Sequence, residues 1–123
     1  MPRYLRLFKK RHDVGDGTLS PDAFVCVGEE TGLSFHLQDP PLDTEAGVSE
    51  YQSAFAYPNG DLRGVCQCAP VCFGAERLPA PKRAPDSEPY FMHHCELSPC
   101  PEREESVRCA FHAAILRPFV KAR

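Results

Sequence analysis

The chain lacks most of the features by which a function can be read directly. It has no tryptophan and only two methionines, so phenylalanine and tyrosine must supply its large aromatic bulk. No run of roughly eighteen apolar residues occurs, which excludes a membrane-spanning helix. The opening stretch MPRYLRLFKKRHD interrupts its apolar residues with charge every few positions and does not read as a secretion signal. There is no glycine-rich phosphate loop, no C-x-x-C pair and no serine elbow, so nucleotide hydrolysis, thioredoxin-type exchange and serine hydrolysis have no motif to rest on. Pro99-Cys100 supplies half of a zinc-deaminase pattern, but the H-x-E partner and the second close cysteine are missing. Net charge is −3 rather than strongly positive, which argues against a dedicated nucleic-acid binder.

What is abundant is proline and cysteine. Thirteen prolines in 123 residues, about twice the usual share, work against long uninterrupted helices and strands. The length suits one domain spanning residues 1–123. Seven cysteines without a secretion signal point to a reducing compartment, the cytoplasm, where thiols stay free, bind metal or react. Charge is uneven along the chain. Arg3, Arg6, Lys9, Lys10 and Arg11 crowd the start, and Glu29, Glu30, Asp39, Asp43, Glu45 and Glu50 lie further in. The plain reading is a solvated surface; the sharper one is a phosphate- or acid-binding N-terminal face.

The hydrophobic pattern predicts an α+β domain. Arg3 to Lys9 reads as a strand with Leu5 and Leu7 on one face and Arg6 on the other, and FVCV and LSFHL read as two more joined by a hairpin. A helix follows in which Asp43 or Thr44 is the cap and Val48, Tyr51 and Phe55 form the buried stripe. LRGVCQC is a strand with Cys66 and Cys68 on one face, and residues 69–89, with five prolines, form a long surface loop. YFMHHC is the last strand. PEREESVRCAFHAAILR is the strongest helix, with Val107, Ala110, Phe111, Ala114 and Ile115 as its apolar stripe. The order is β-β-β-α-β-β-α, about five short antiparallel strands with two helices on one face.

The stretch MHHCELSPC concentrates soft ligands. Cys95 and Cys100 form C-x4-C, and Cys109 and His112 follow as C-x2-H on the last helix, so the four together match the donor types of a tetrahedral zinc site. Cys66, Cys68, Cys72 and His93 are alternative ligands on neighbouring elements. A catalytic reading takes Cys95 or Cys100 as nucleophile with His94 as base, Cys100 being favoured by its place at a helix N-terminus. The plain reading takes the cysteines as small buried apolar residues. The run CELSPC, with Cys109 and an apolar helix after it, resembles the cysteine-rich tail of the small adenovirus early-region proteins that blunt host death signalling. The shared pattern is C-x-x-S-P-C; those are cytosolic interaction proteins, and neither function nor site residue is carried across to this chain.

The resulting expectation is an intracellular protein that works by binding an unnamed protein partner, without a reaction of its own and with zinc as a stiffening element. A cysteine-dependent enzyme or thiol redox regulator is the alternative. Cys109, His112 and Leu116, lying off the apolar stripe, are the expected contact surface.

Overall fold

The computed structural model describes residues 2–15, 17–40, 42–54, 62–74, 77–81 and 93–121. Among these, eight strands and two α-helices occur: β1 (Arg3–Lys9), β2 (Asp13–Gly15), β3 (Thr18–Leu19), β4 (Leu33–Gln38), α1 (Thr44–Ala54), β5 (Leu62–Cys68), β6 (Ala80–Pro81), β7 (His94–Leu97), α2 (Arg103–His112) and β8 (Ala114–Lys121). Six strands form one antiparallel sheet in the order β6-β7-β4-β1-β5-β8, and β2 pairs with β3 separately. The fold is α+β, as expected, with more strands in a different order.

Strand β1 sits in the middle of this sheet, and its alternation separates two layers. Tyr4 and Phe8 point to the larger core, with Leu33, Phe35, Cys66, Cys68, Cys95 and Leu97 from neighbouring strands and Cys109 and Ala110 from α2. Tyr4, Phe35 and Phe73 meet edge to face there, with ring centroids 5.4 to 6.3 Å apart, the arrangement that aromatic quadrupoles favour. Leu5 points the other way, to a smaller core with Val65 and with Val48 and Tyr51 of α1. The helices therefore cover opposite faces of the sheet, where the sequence pattern placed both on one. The Arg6 side of β1, expected to be the polar one, is the main core. Arg6 is accommodated because its Nε donates to Ala23 O at 2.8 Å and its Nη1 to Ser34 O at 3.0 Å, and its guanidinium lies over the Phe35 ring.

Helix α1 begins where expected, with Asp43 Oδ1 accepting from Ala46 N at 3.0 Å. Gly47 lets it come close to the sheet: Gln38 Nε2 donates to Gly47 O at 2.9 Å. Phe55, expected to extend the α1 stripe, and residues 90–92, expected to begin the last strand, lie outside the described residues.

The segment FVCV is not a strand. Ser20 and Pro21 start a 3-10 turn over Pro21–Phe24, where Ser20 Oγ accepts from Asp22 N, and the turn buries Phe24 while Val25 and Val27 face outward. Within the expected loop 69–89, another 3-10 turn spans Pro70–Cys72 and β6 pairs with β7. The last element among the described residues is a strand, since Ala113 takes an extended conformation and ends α2 at His112. No helix among the described residues is long and apolar enough to cross a membrane.

Candidate functional site

Helix α2 meets the rest of the molecule through its small residues. Its buried positions are Ser106, Cys109 and Ala110, which pack on the turns at 21–24 and 70–72. Ser106 Oγ donates to Phe24 O at 2.8 Å, which satisfies an otherwise buried carbonyl. The large apolar residues face away: Phe111 is 81% exposed and Val107 44%. Of the expected stripe, Ala110 is buried and Ile115 packs against the core, whereas Val107 and Phe111 face away. Ala114 and Ile115, counted in it, belong to β8, where Ile115 pairs with Cys66. Of the expected contact residues, Cys109 is buried and Leu116 packs against the smaller core, while His112 is exposed; Phe111 and Val107 are open on the same helix. Val71, in the turn on which α2 packs, is also exposed.

Several groups hold α2 in this orientation. Arg77 donates from Nε and Nη2 to the two carboxylate oxygens of Glu105 at 3.0 and 2.8 Å. The same guanidinium donates to the carbonyls of Ser98 and Pro99, each at 2.8 Å. Planar two-point pairing of this kind is what arginine provides and lysine does not. The hydrogen bond from Arg77 holds the Glu105 carboxyl below its usual range.

The predicted cysteine and histidine ligands do not converge as expected. Cys100 is joined to Cys26 in a disulfide, which ties the segment after the first 3-10 turn to the residues preceding α2. As bonded here, Cys100 is neither a free nucleophile nor a thiolate ligand. Cys95 and Cys109 are fully buried, and His112 is exposed at the end of α2. Burial pushes the Cys95 and Cys109 thiols up to about 12, against the activation a nucleophile needs. Cys95 Sγ faces the Phe35 carbonyl at 3.7 Å. His94 alternates with Cys95 on β7 and points to the other sheet face, where its Nε2 lies 3.2 Å from Ser34 Oγ and 3.6 Å from Glu96 Oε2. The proposed nucleophile and base are therefore separated by the sheet.

Cys66, Cys68 and Cys72 do come together, all fully buried in the same core. Among the described residues no group of three or more His, Cys, Asp or Glu is arranged to hold a metal ion.

Sequence reasoning missed His36. In LSFHL it alternates with Leu33, Phe35 and Leu37, a pattern that puts it on the polar face of a strand with one buried face, but α1 covers that face and His36 is 2% exposed. Its ring lies 4.7 Å from that of Tyr51 and 5.1 Å from that of His93. Neither ring nitrogen of His36 has a hydrogen-bond partner among the described residues. Burial first, then the neighbouring His93 and His94, push it down to about 4. The signal was the second apolar helix stripe, Val48 and Tyr51, which needs a sheet face of its own. His93 also lines an open cleft of about 210 Å³ with Leu37, Gln38, Asp39, Pro40 and Leu42.

Comparison with family models, with curated proteins and with solved structures finds no match in any of the three, so the local likeness of CELSPC gains no support from them.

Proposed function

We propose that this chain acts by binding a protein partner, without catalysis of its own, and that the outer face of α2 is the contact surface. The observation that carries the reading is Phe111, 81% exposed on a helix whose opposite side is packed, with Val107 one turn before it. A phenylalanine left open in this way is an anchor awaiting a pocket, and aromatic anchors supply a large share of binding energy at interfaces. The partner is a protein with an apolar groove able to take a short helix by its i and i+4 residues.

The thiol-enzyme alternative loses support from the same structure, because Cys95 is buried with its thiol pushed up and Cys100 is bonded to Cys26. A cytoplasmic location belongs to this proposal and rests on the five cysteines that are free. In that compartment Cys26 and Cys100 would also be held as thiols for much of the time.

The test is a photo-crosslinking amino acid placed at Phe111, at Val107 and at Val14, which is exposed on β2 well apart in sequence from α2. The reading expects adducts of one common mass from the first two positions and none from the third. Phe111→Glu should then weaken binding of that partner at least about 10-fold, as loss of an interface anchor does. Adducts equally abundant at all three positions, or a Phe111→Glu protein that binds as well as the parent, would remove the proposal. Adducts at the mass of two chains would assign the face to self-association instead.

A further inference from the structure

Three free thiols play no part in the reading above. Cys66 and Cys68 point to the same sheet face, opposite Arg6 and Tyr4 of β1 in the ladder. After Cys68 the chain turns back at once: Cys72 N donates to Ala69 O at 2.9 Å and Phe73 N to Pro70 O at 3.0 Å. The turn returns Cys72 to the same buried core that holds Cys66 and Cys68. Cys66 is otherwise engaged, its Sγ donating to Arg6 O at 3.5 Å.

The two thiols of this pair differ in character. The hydrogen bond from Cys68 holds Cys72 below the usual thiol range against the cost of burial, with Arg108 adding to the effect. Cys68 is raised by its hydrogen bonds to Cys66 and Cys72 and by burial. Arg108 is close, its Nε donating to the Cys72 carbonyl at 3.2 Å. Arg108 lies beside Cys72, which makes Cys72 the sulfur better placed to react as a thiolate. Cys72 is buried, and it follows Val71, 58% exposed, in a three-residue turn.

We propose that Cys68 and Cys72 are a redox-active dithiol that closes to an intramolecular disulfide on reaction with a hydroperoxide. The Cys72 thiolate attacks one peroxide oxygen, an S–O bond forms, the O–O bond breaks, and the departing hydroxide takes up a proton and leaves as water (or as an alcohol from an organic peroxide). Cys72 sulfur is oxidised to the sulfenic acid as the peroxide is reduced. The Cys68 sulfur then attacks the Cys72 sulfur, the S–S bond forms, the S–O bond breaks, and a second water leaves with the Cys68 proton. The Cys72 carbonyl accepts from Arg108 and also from Cys109 Sγ at 3.4 Å, so closure acts on the turn against which α2 rests.

The experiment uses the full chain as purified, with the Cys26–Cys100 bond intact. It is treated with hydrogen peroxide at neutral pH, quenched, unfolded and alkylated. Two of the five free thiols should disappear. The peptide Gly64–Arg77 should weigh about 2 Da less than expected for three thiols and carry a single alkyl group, on Cys66. Cys66→Ser should still lose the 2 Da, whereas Cys68→Ser and Cys72→Ser should not. Phenylarsine oxide, which joins two neighbouring thiols without oxidising them, should bind once per chain and block the peroxide reaction. All five thiols alkylated after peroxide, a different cysteine linkage, or a copurifying metal ion held by these sulfurs would overturn the proposal. If a serine variant fails to fold, the peptide map of the unsubstituted chain still decides the linkage.

Discussion

Acidification from about pH 7 to about pH 5 should lower the stability of the native state by about 2 kcal/mol through His36 alone. In the unfolded chain this imidazole takes up a proton near its ordinary value of 6.5, whereas in the fold it stays neutral down to about 4. Between those two values the unfolded state binds more protons than the native state, so stability falls as pH falls. The contribution is intact above 6.5, declines through the window, and levels off below about 4 after a total loss of about 3 kcal/mol. The side chain is 2% exposed, so solvent screening does little to reduce the effect. His12 shifts in the same direction through burial and the neighbouring Arg11, Arg6 and Lys9, so the parent curve alone does not isolate His36. The comparison with His36→Phe does. The replacement keeps a flat ring beside Tyr51, removes two buried nitrogens that lack partners among the described residues, and cannot titrate. Urea denaturation followed by far-UV circular dichroism at several pH values should show the variant at least as stable as the parent near pH 7. Its decline toward pH 5 should be smaller by about 2 kcal/mol. Equal pH slopes in the two proteins would refute the reasoning.

Other expectations concern the ties around α2 and α1. Reduction of the Cys26–Cys100 bond, which spans a sequence separation of 74, should destabilise the fold by about 4 kcal/mol in the chain-entropy account. Denaturation midpoints that coincide with and without reductant would contradict it. Arg77→Ala should cost about 2 kcal/mol because it empties a guanidinium that bonds Glu105, Ser98 and Pro99, and Arg77→Lys should recover little of that loss. A lysine variant matching the parent in thermal melting would show that geometry there is unimportant. Gly47→Ala would place a Cβ 2.7 Å from Gln38 Oε1 and 3.1 Å from Arg3 Nη1, both ends of flexible side chains that can move aside, and alanine favours the helix by about 1 kcal/mol, so the net change in stability should stay within about 1 kcal/mol. A loss of several kcal/mol in urea denaturation would mean that the Gln38 side chain cannot yield.

Local pattern carried part of the fold, and the reason can be traced to particular residues. Leu5 and Leu7 opposite Arg6, the Asp43 cap, and Cys66 with Cys68 on one face all depend on neighbours within a few positions, and all are found. The misreadings involve partners far along the chain. FVCV has strand composition, but Phe24 is claimed by α2 through Ser106, 82 residues later, and Cys26 by Cys100. His36 looked solvent-facing because one buried face is the default for an alternating strand; only the docking of α1 on the second face makes it a core residue. The cysteines had composition without address. Nothing local indicates that Cys95 sits under Phe35 O while Cys72 turns back to Cys68.

Helix α2 shows why periodicity alone misplaced Val107 and Phe111. A 3.6-residue period identifies an apolar stripe but not the depth available beneath it. Here the helix rests on two 3-10 turns rather than on an open sheet, and such a seat admits only short side chains: Ser106, Cys109 and Ala110 fit where Phe111 would not. The larger residues, left outside, keep their helical spacing and thereby form a second apolar face. If that face were simply an unfavourable remainder, polar replacement there would be neutral or favourable for both stability and association. Phe111→Glu should leave the denaturation midpoint within about 0.5 kcal/mol of the parent, as substitutions at open surface positions do. A destabilisation several times larger would mean that the phenylalanine is packed in solution and that α2 is seated the other way round. Unchanged stability together with lost partner binding is the combination that only a docking face produces.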